Sequence, residues 1–315
     1  MSFLIARRVL TALVTLSIVS LMIFFCTELL PGDAAQALLG QTATPESLNA
    51  LREQLGLNLP AATRYWTWIS GILHGDLGVS ITNGVPVVDL VRDPLFNTLR
   101  LAAIAAVVSI PLALSLGLIS VLHAGTKIDR AINVGALCAV SVPEFFVAAL
   151  LTFVFSVQLG WLPSIAFVRP HQSVWEQARS LILPTSVLTL VVLAHMVRMT
   201  RTAILNVLSS AYVETAILKG MKRRDIVLWH ALPNAVAPIL NVIAVVLAYL
   251  VAGVVVVETI FAYPGLGRLM VESVAVRDVP LIQACGLIFC SVYFLANLLA
   301  DIVSMVSNPR LRRRP

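Results

Sequence analysis

Long apolar runs set the rhythm of this 315-residue chain. Near-continuous stretches at about Val9–Leu30, Leu99–Leu122, Ala131–Leu159, Leu181–Leu205, Val236–Val257 and Leu281–Val306 are separated by segments that carry most of the charge. Each run is close to, or longer than, the roughly 20 residues that a bilayer core demands. The runs do not alternate with the period of two that a barrel strand needs, and lipid offers no partner to a free backbone group. The pattern therefore predicts an all-α membrane protein with six spanning helices. Arg7 and Arg8 precede the first run as they would in a signal peptide. That run is too long for such a segment and shows no small-residue cleavage site before Pro31, so it reads as a span.

Between the runs the polar segments have their own punctuation. From Pro31 to about Phe96 lies the longest non-spanning piece. Within it Thr44-Pro45 is a helix start and Gly56 a stop. The apolar, aromatic run Arg64–Gly75 places Trp66 and Trp68 where a membrane–water interface favours them. This segment is expected to form a cap packed on the span ends. A second polar stretch runs from Ala211 to Pro238. It reads as a charged helix, a break at Gly220, a second short helix and a stop at Leu232-Pro233, with Pro238 starting the fifth span. Pro111, Pro143 and Pro184 lie inside spans, where each is expected to kink its helix.

Composition agrees: 59% of residues are hydrophobic and 12% charged, with mean hydropathy +0.93. A soluble domain of this size could not hide so much apolar surface. The net charge of +6 is a topology signal. With the N-terminus in the cytoplasm, the inner segments hold 14 Lys and Arg residues and the longer outer segments 8. The positive-inside rule then puts both termini and the Ala211–Val236 loop on the cytoplasmic side. The tail from Arg310 to Arg314 is expected to meet anionic headgroups, and nucleic acid is not an expected partner. Cys26, Cys138, Cys285 and Cys290 fall inside spans without paired spacing; they read as small buried hydrophobes, and no metal site is expected.

Enzyme signatures are missing. The chain has no H-E-x-x-H, no G-x-S-x-G in a strand–turn–helix setting and no P-loop, so ATP would have to be hydrolysed by another chain. Ionisable groups in spans are costly and are read one by one. Glu144, after Pro143 in the third span, either lines a path or satisfies backbone freed by the kink. Glu28 and Glu258 sit at span ends and read as solvated. Asp301 is expected to pair with a basic residue. His195, Arg198 and Arg201 share a helical face and read as groups reaching toward headgroups, with a proton relay as the alternative. Asn241, Gln283 and Asn297 are polar candidates for a translocation path.

The stretch after Ala211 resembles the EAA loop of ATP-binding-cassette importer permeases. That pattern is Glu-Ala-Ala, three residues, Gly, nine residues, a hydrophobic residue, one more, then Leu-Pro. Glu214, Ala216, Gly220, Leu232 and Pro233 fall on it, while Thr215 replaces one alanine and His230 stands at the hydrophobic position. The variant H-A-L-P-N-A-V-A-P is similar to the B-type permease of dipeptide and oligopeptide importers, a group that also serves nickel, glutathione and opines. L-P-G-D at Leu30–Asp33, L-G-L at Leu55–Leu57 and G-D-L-G-V-S at Gly75–Ser80 resemble that family's N-terminal half. V-V-E-T-I-F-A-Y-P-G-L-G at Val256–Gly267 and N-P-R at Asn308–Arg310 resemble its C-terminal half, with Asn308 in place of the usual aspartate.

The resemblance implies the type I importer permease fold in a bacterial inner membrane. Residues 1–96 would form the first span and periplasmic cap, 97–306 the transmembrane core and 307–315 a basic cytoplasmic tail. The hairpin would be the coupling helix, with Tyr212, Glu214, Ala216, Gly220, Lys222, Arg223, Arg224, Asp225, His230, Leu232 and Pro233 meeting the ATPase. Tyr212, Val213, Ala216, Ile217 and Leu218 would give it an apolar face. Glu258, Pro264, Gly265 and Gly267 would belong to an outer-gate turn. The implied partners are a homologous second permease, two ATPase subunits carrying ATP and Mg, a periplasmic substrate-binding protein and the lipid bilayer. No cofactor would be bound by this chain. Dipeptides or oligopeptides are the expected cargo, with nickel, glutathione and opines as alternatives. A secondary transporter or channel is the competing class; the docking hairpin and the lack of inverted halves stand against it.

Overall fold

A computed structural model describes residues 2–29, 34–39, 44–54, 56–167 and 173–307. The L-P-G-D motif, His171, N-P-R and the basic tail lie outside the described residues. The described secondary structure is helical apart from one isolated bridge, Val79 to Pro86. Its helices are α1 (Ser2–Glu28), α2 (Ala34–Leu39), α3 (Pro45–Gln54), α4 (Ala61–Leu73), α5 (Val87–Leu122), α6 (Lys127–Ser141), α7 (Glu144–Thr152), α8 (Val174–Leu208), α9 (Ala211–Leu218), α10 (Arg223–Asp225), α11 (Leu232–Ile260), α12 (Leu266–Val276) and α13 (Val279–Ser307). Wide π turns follow α7 at Phe153–Gln158 and α10 at Ile226–Ala231.

Among the described residues, five helical stretches are long and apolar enough to cross a membrane: Ala6–Glu28, Val87–Leu122, Val174–Leu208, Arg223–Val251 and Val279–Leu299. The expected third span is not one straight helix. It is the pair Lys127–Ser141 and Glu144–Gln158, bent by 98° at a short break, and makes six spans if counted as one. Pro143 explains the break: Val142 and Pro143 are extended, with ψ of 126° and 141°, because a proline disfavours helical backbone in the residue before it.

Clustering of the chain gives two compact units, one of residues 1–9, 99–263 and 293–315, the other of 10–98 and 264–292. In the first, α8 is central: α6, α7 and α11 all pack on it. Ser173 and Glu176 form a reciprocal capping box that starts α8, with bonds of 3.1 and 3.3 Å. Its packed side carries Leu181, Leu183, Val187, Leu188, Val192, Met196, Val197 and Ile204. Val121, Ala203, Ile204, Val227, Ala231, Ala235 and Ile239 close the hairpin end of the unit. Close approach of α5 to α8 depends on Gly117, where an added Cβ would lie 2.9 Å from Thr200 Cγ2 and 3.3 Å from the Val197 carbonyl.

In the second unit α4 packs along α1. Tyr65 meets Phe24 edge-on at 5.4 Å, and its hydroxyl lies 2.9 Å from Ser20 Oγ. Glu28 is exposed at the end of α1, as its solvated reading expected, and pairs there with Arg64. Trp66 is exposed, as an interfacial residue should be. Thr44 and Ser47 exchange bonds at the start of α3, and Gly56 follows it with φ of +66°. Asp278, almost wholly buried, ties the loop after Gly78 to the α12–α13 junction. Its carboxylate accepts from the Ser80 hydroxyl and from the backbone N–H groups of Ile81 and Thr82 at 3.3 Å. Val87, Val91, Leu266, Leu281, Ala284 and Cys285 form this unit's apolar core. Cys285 is buried as expected, whereas Cys26 and Cys138 are exposed on the isolated chain.

The Gly117 contact yields a direct test. Thr200 is β-branched and stiff in a helix, so Gly117→Ala has no cheap accommodation. It is expected to destabilise the purified protein by about 1–3 kcal/mol, read as a lower thermal midpoint. Thr200→Ser removes the nearest methyl but keeps Thr200 Cβ, 3.0 Å from the added carbon, so the double variant should recover part of that loss.

Candidate functional site

The polar stretch after α8 folds back on itself by a glycine-capped turn. Helix α9 ends with a Schellman motif: Gly220 N–H donates to the Ile217 carbonyl at 2.9 Å and Met221 N–H to the Ala216 carbonyl at 3.3 Å. Gly220 sits at φ +77°, a backbone region open to glycine and resisted by residues with a Cβ. Val213, Ala216 and Ile226 form a small core beneath the turn, with Leu208 and Met221 packed on it. The Tyr212 hydroxyl reaches the His230 carbonyl at 3.3 Å, and Asn234 donates to the same oxygen at 2.7 Å.

Several expectations for this hairpin change. Val213 and Ala216 face inward, so the apolar face open to a partner is Tyr212, Ile217 and Leu218, joined by Trp229. Trp229 is 75% exposed and was not singled out from the sequence. Leu232-Pro233 does not stop a helix, and Pro238 does not begin the next. The chain stays helical from Arg223 through the π turn into α11, with Pro233 at the start of α11 and Pro238 inside it. Arg223 is partly turned inward: one guanidinium nitrogen donates to the Val121 carbonyl at the end of α5, 3.2 Å away. Glu214, Lys222 and Arg224 are exposed, and Asp225 occupies the first turn of α10.

Beside Val121 lies a polar cluster that joins three helix ends. Arg201 of α8 donates to both carboxylate oxygens of Asp129 in α6, each at 3.0 Å, and to Ser120 Oγ of α5 at 3.1 Å. Ser120 donates in turn to Asp129 at 2.5 Å, the Gly125 N–H caps the same carboxylate at 3.0 Å, and Asn133 adds a bond of 2.6 Å. Asp129 is 6% exposed. Arg201 is thus an internal ion-pair partner, where a headgroup contact or relay was expected. Asp129 was missed because K-x-D-R reads as a charged loop. An acid at the start of one span facing an arginine near the end of another was the available signal.

The remaining predicted site residues are spread over the two units. In the first, Glu144 opens α7; its Oε1 is buried with no hydrogen-bond partner, and its carboxylate lies within electrostatic reach of the Tyr249 phenol on α11. Asn241 is exposed on α11. Asn297 bonds to the Tyr293 carbonyl one turn back at 2.9 Å, and Asp301 pairs with Arg8 at 2.9 Å as expected. Glu258 is fully buried, contrary to its reading as a solvated edge residue. The chain folds over it beyond α11, with Tyr263 N–H donating to the Glu258 carbonyl at 2.9 Å. Tyr263 is buried too, and desolvation pushes its phenol up to about 12. In the second unit Asn97 donates to the Pro264 carbonyl at 2.9 Å, and Thr98 Oγ1 caps α12 at the Leu266 N–H at 2.8 Å. There Gly265 precedes α12, Gly267 is buried within it, and Gln283 is buried and donates to Thr27 at 2.8 Å. Among the described residues no group of acids, histidines and cysteines could hold a metal ion.

The ion pair gives the second test. Asp129→Asn leaves a largely buried guanidinium without its counter-charge and is expected to cost about 3–5 kcal/mol of stability. The double variant Asp129→Asn/Arg201→Gln should cost clearly less than the sum of its singles, measured by thermal unfolding in detergent.

Comparison with known proteins agrees with this architecture. Residues 94–313 match the family described as "Binding-protein-dependent transport system inner membrane component", and residues 1–102 match its N-terminal region. A probable peptide ABC transporter permease of Sinorhizobium fredii is 36% identical over 98% of this chain and 98% of its own length. A putative peptide transport system permease of Brucella abortus is 36% identical over 99% of both chains. The glutathione transport system permease GsiC of Escherichia coli K12 is 36% identical over 97% of each. Inward-facing structures of the MetNI methionine ABC transporter align with TM-scores of 0.54 and 0.55 at 17% and 16% identity, over 70% of this chain and 96% of theirs, and share its fold. A helical core of up to six spans among the described residues, matched by family over both halves, identifies the chain as a multi-pass inner membrane component of the binding-protein-dependent transport family.

Proposed function

We propose that this chain is the permease subunit of a peptide importer, working beside a homologous second permease, two ATP-hydrolysing subunits and a periplasmic substrate-binding protein. The observation that carries the reading is the hairpin. Ile217, Leu218 and Trp229 are 58%, 84% and 75% exposed, yet the backbone beneath them is fixed by the Schellman turn and the Val213–Ala216–Ile226 core. A rigid apolar surface ringed by Lys219, Lys222 and Arg224 suits a groove with an acidic rim on a soluble partner. That partner would supply the nucleotide chemistry with its own ATP and Mg; this chain would bind no cofactor. The peptide cargo is supported by the names of the relatives.

In this reading both termini and the hairpin face the cytoplasm. ATP-driven closure of the partners moves the hairpin as a lever. Arg223 links it to the end of α5, and the continuous run from α10 into α11 carries the motion into a span. Glu144 and Asn241 line the path, and the turn from Glu258 through Pro264, Gly265 and Gly267 belongs to the outer gate. The path alternates between faces as nucleotide binding shifts its population.

Gly220→Val forces a β-branched residue into the left-handed region, and Leu218→Asp charges the docking surface. Both are expected to abolish ATPase association, seen as loss of co-purification, while the permease still inserts and folds. Full association and uptake with Gly220→Val would sink the docking role. In a background without native cysteines, Lys222→Cys should resist a membrane-impermeant thiol reagent in intact cells and react after permeabilisation. Reconstituted alone, the chain should show neither ATP hydrolysis nor peptide flux. Flux through it driven by an ion gradient would favour a secondary transporter.

A further inference from the structure

Helix α5 ends without a cation of its own, since its last turn carries no basic residue. Its carbonyl end is served from elsewhere. The Val121 carbonyl accepts the Ala124 N–H at 3.2 Å and, from the far leg of the hairpin, an Arg223 guanidinium nitrogen, also at 3.2 Å. One residue earlier, the fully buried Ser120 is held by Arg201 of α8, the helix that leads into the near leg. Two neighbouring residues at the end of α5 are thus gripped from both sides of the hairpin. Both grips come from guanidinium groups, whose bonds are stronger than those between neutral partners.

The grip continues into α6. Asp129 accepts Arg201 through both oxygens, and Asn133 donates to Ser120 Oγ at 3.2 Å and to the Asp129 carboxylate at 2.6 Å. No slack is left beside it, because at Gly117 one added carbon on α5 would already meet Thr200 of α8. The backbone of the hairpin runs only into α8 and α11. What ties α5 and α6 to it is this polar chain together with the apolar cluster around Val121. Apolar contacts in a membrane protein can slip at little cost, and a bidentate ion pair cannot.

A displaced hairpin therefore has two courses. It can carry the end of α5 and the start of α6 along, or it can draw a buried carboxylate and its guanidinium apart. The second course leaves buried charge unpaired and is the costlier. We propose that Ser120, Asp129 and Arg201 are positioning residues for coupling, making the end of α5 and the start of α6 travel with the hairpin. Motion of an ATPase partner would then enter four helices, where backbone connection alone reaches two. The block so formed extends along α6 as far as the break at Pro143, where the backbone leaves the helix. The inference rests on the reading of the hairpin as the ATPase contact and adds to it residues that lie beneath the contact surface.

The test uses the complete importer in proteoliposomes, with the second permease, both ATPases and the binding protein, and reads the ATP hydrolysed per peptide taken up. Ser120→Ala removes the shared hydroxyl but leaves the ion pair, so the chain is expected to fold. It should raise the ATP hydrolysed per peptide about three- to tenfold while the ATPases still co-purify. Leu188→Ala, a buried truncation elsewhere on α8, also destabilises the fold but should leave that ratio at its wild-type value. An unchanged ratio in Ser120→Ala, or an equal rise in Leu188→Ala, overturns the proposal. A second measurement needs neither cargo nor partner. In the purified chain without native cysteines, spin labels are attached through Lys127→Cys at the start of α6 and Lys219→Cys on the hairpin, both exposed positions. Pulsed electron resonance should give one narrow distance distribution, and Ser120→Ala combined with Arg223→Gln should broaden it. Equal widths overturn the proposal even if transport is normal. If the wild-type complex binds no ATPase or moves no peptide, the importer reading fails, and the widths alone decide whether hairpin and α6 form one block.

Discussion

The guanidinium of Arg201 is held by a carboxylate from one helix and a hydroxyl from another, inside a bundle whose other contacts are mostly apolar. In a membrane, apolar contacts do little to choose between registers, because lipid tails compete with side chains on nearly equal terms. A bidentate ion pair is different: it is satisfied in one arrangement of α5, α6 and α8 and left as an unpaired buried charge in the others. The rest of the hairpin end depends on it. Arg223 finds its carbonyl on Val121, next to Ser120, only if α5 ends where Ser120 can reach Asp129. The exposed surface of the hairpin is therefore aimed by a polar contact one layer beneath it.

Hydropathy alone made most of the spans legible, since their length and composition are dictated by the bilayer whatever they pack against. The bounds of α3 were legible from Thr44-Pro45 and Gly56. The hairpin's turn could be read from Gly220, and its identity from the spacing of Glu214, Ala216, Gly220 and Pro233. What could not be read was which residues face inward. Val213 and Ala216 look as available to a partner as Ile217 and Leu218 do, and only the fold of Ile226 over them separates the two pairs. Glu258 was misjudged for a related reason. Distance along the chain placed it near water, but the turn through Tyr263 folds back over it. The Leu-Pro signature misled differently: Pro233 and Pro238 both lie within one continuous helical run, so neither marks a boundary.

Pro143 shows how one residue can serve two ends. It breaks a run that hydropathy marks as a single span, and it places Glu144 at the first position of a new helix with a buried oxygen that no described residue satisfies. Its neighbour across the unit is the Tyr249 phenol on α11, within electrostatic reach of the carboxylate.

The π turn at Ile226–Ala231 carries a consequence for how this chain can change. Such a turn holds an extra residue within an otherwise α-helical run. Losing that residue would tighten the turn into ordinary α-helix while leaving α11 in nearly the same register relative to α10. Ala235, Ile239 and Val242 would stay on the buried side. The same deletion a few residues later, within α11 itself, would rotate everything downstream by about 100° and turn that side out of the bundle.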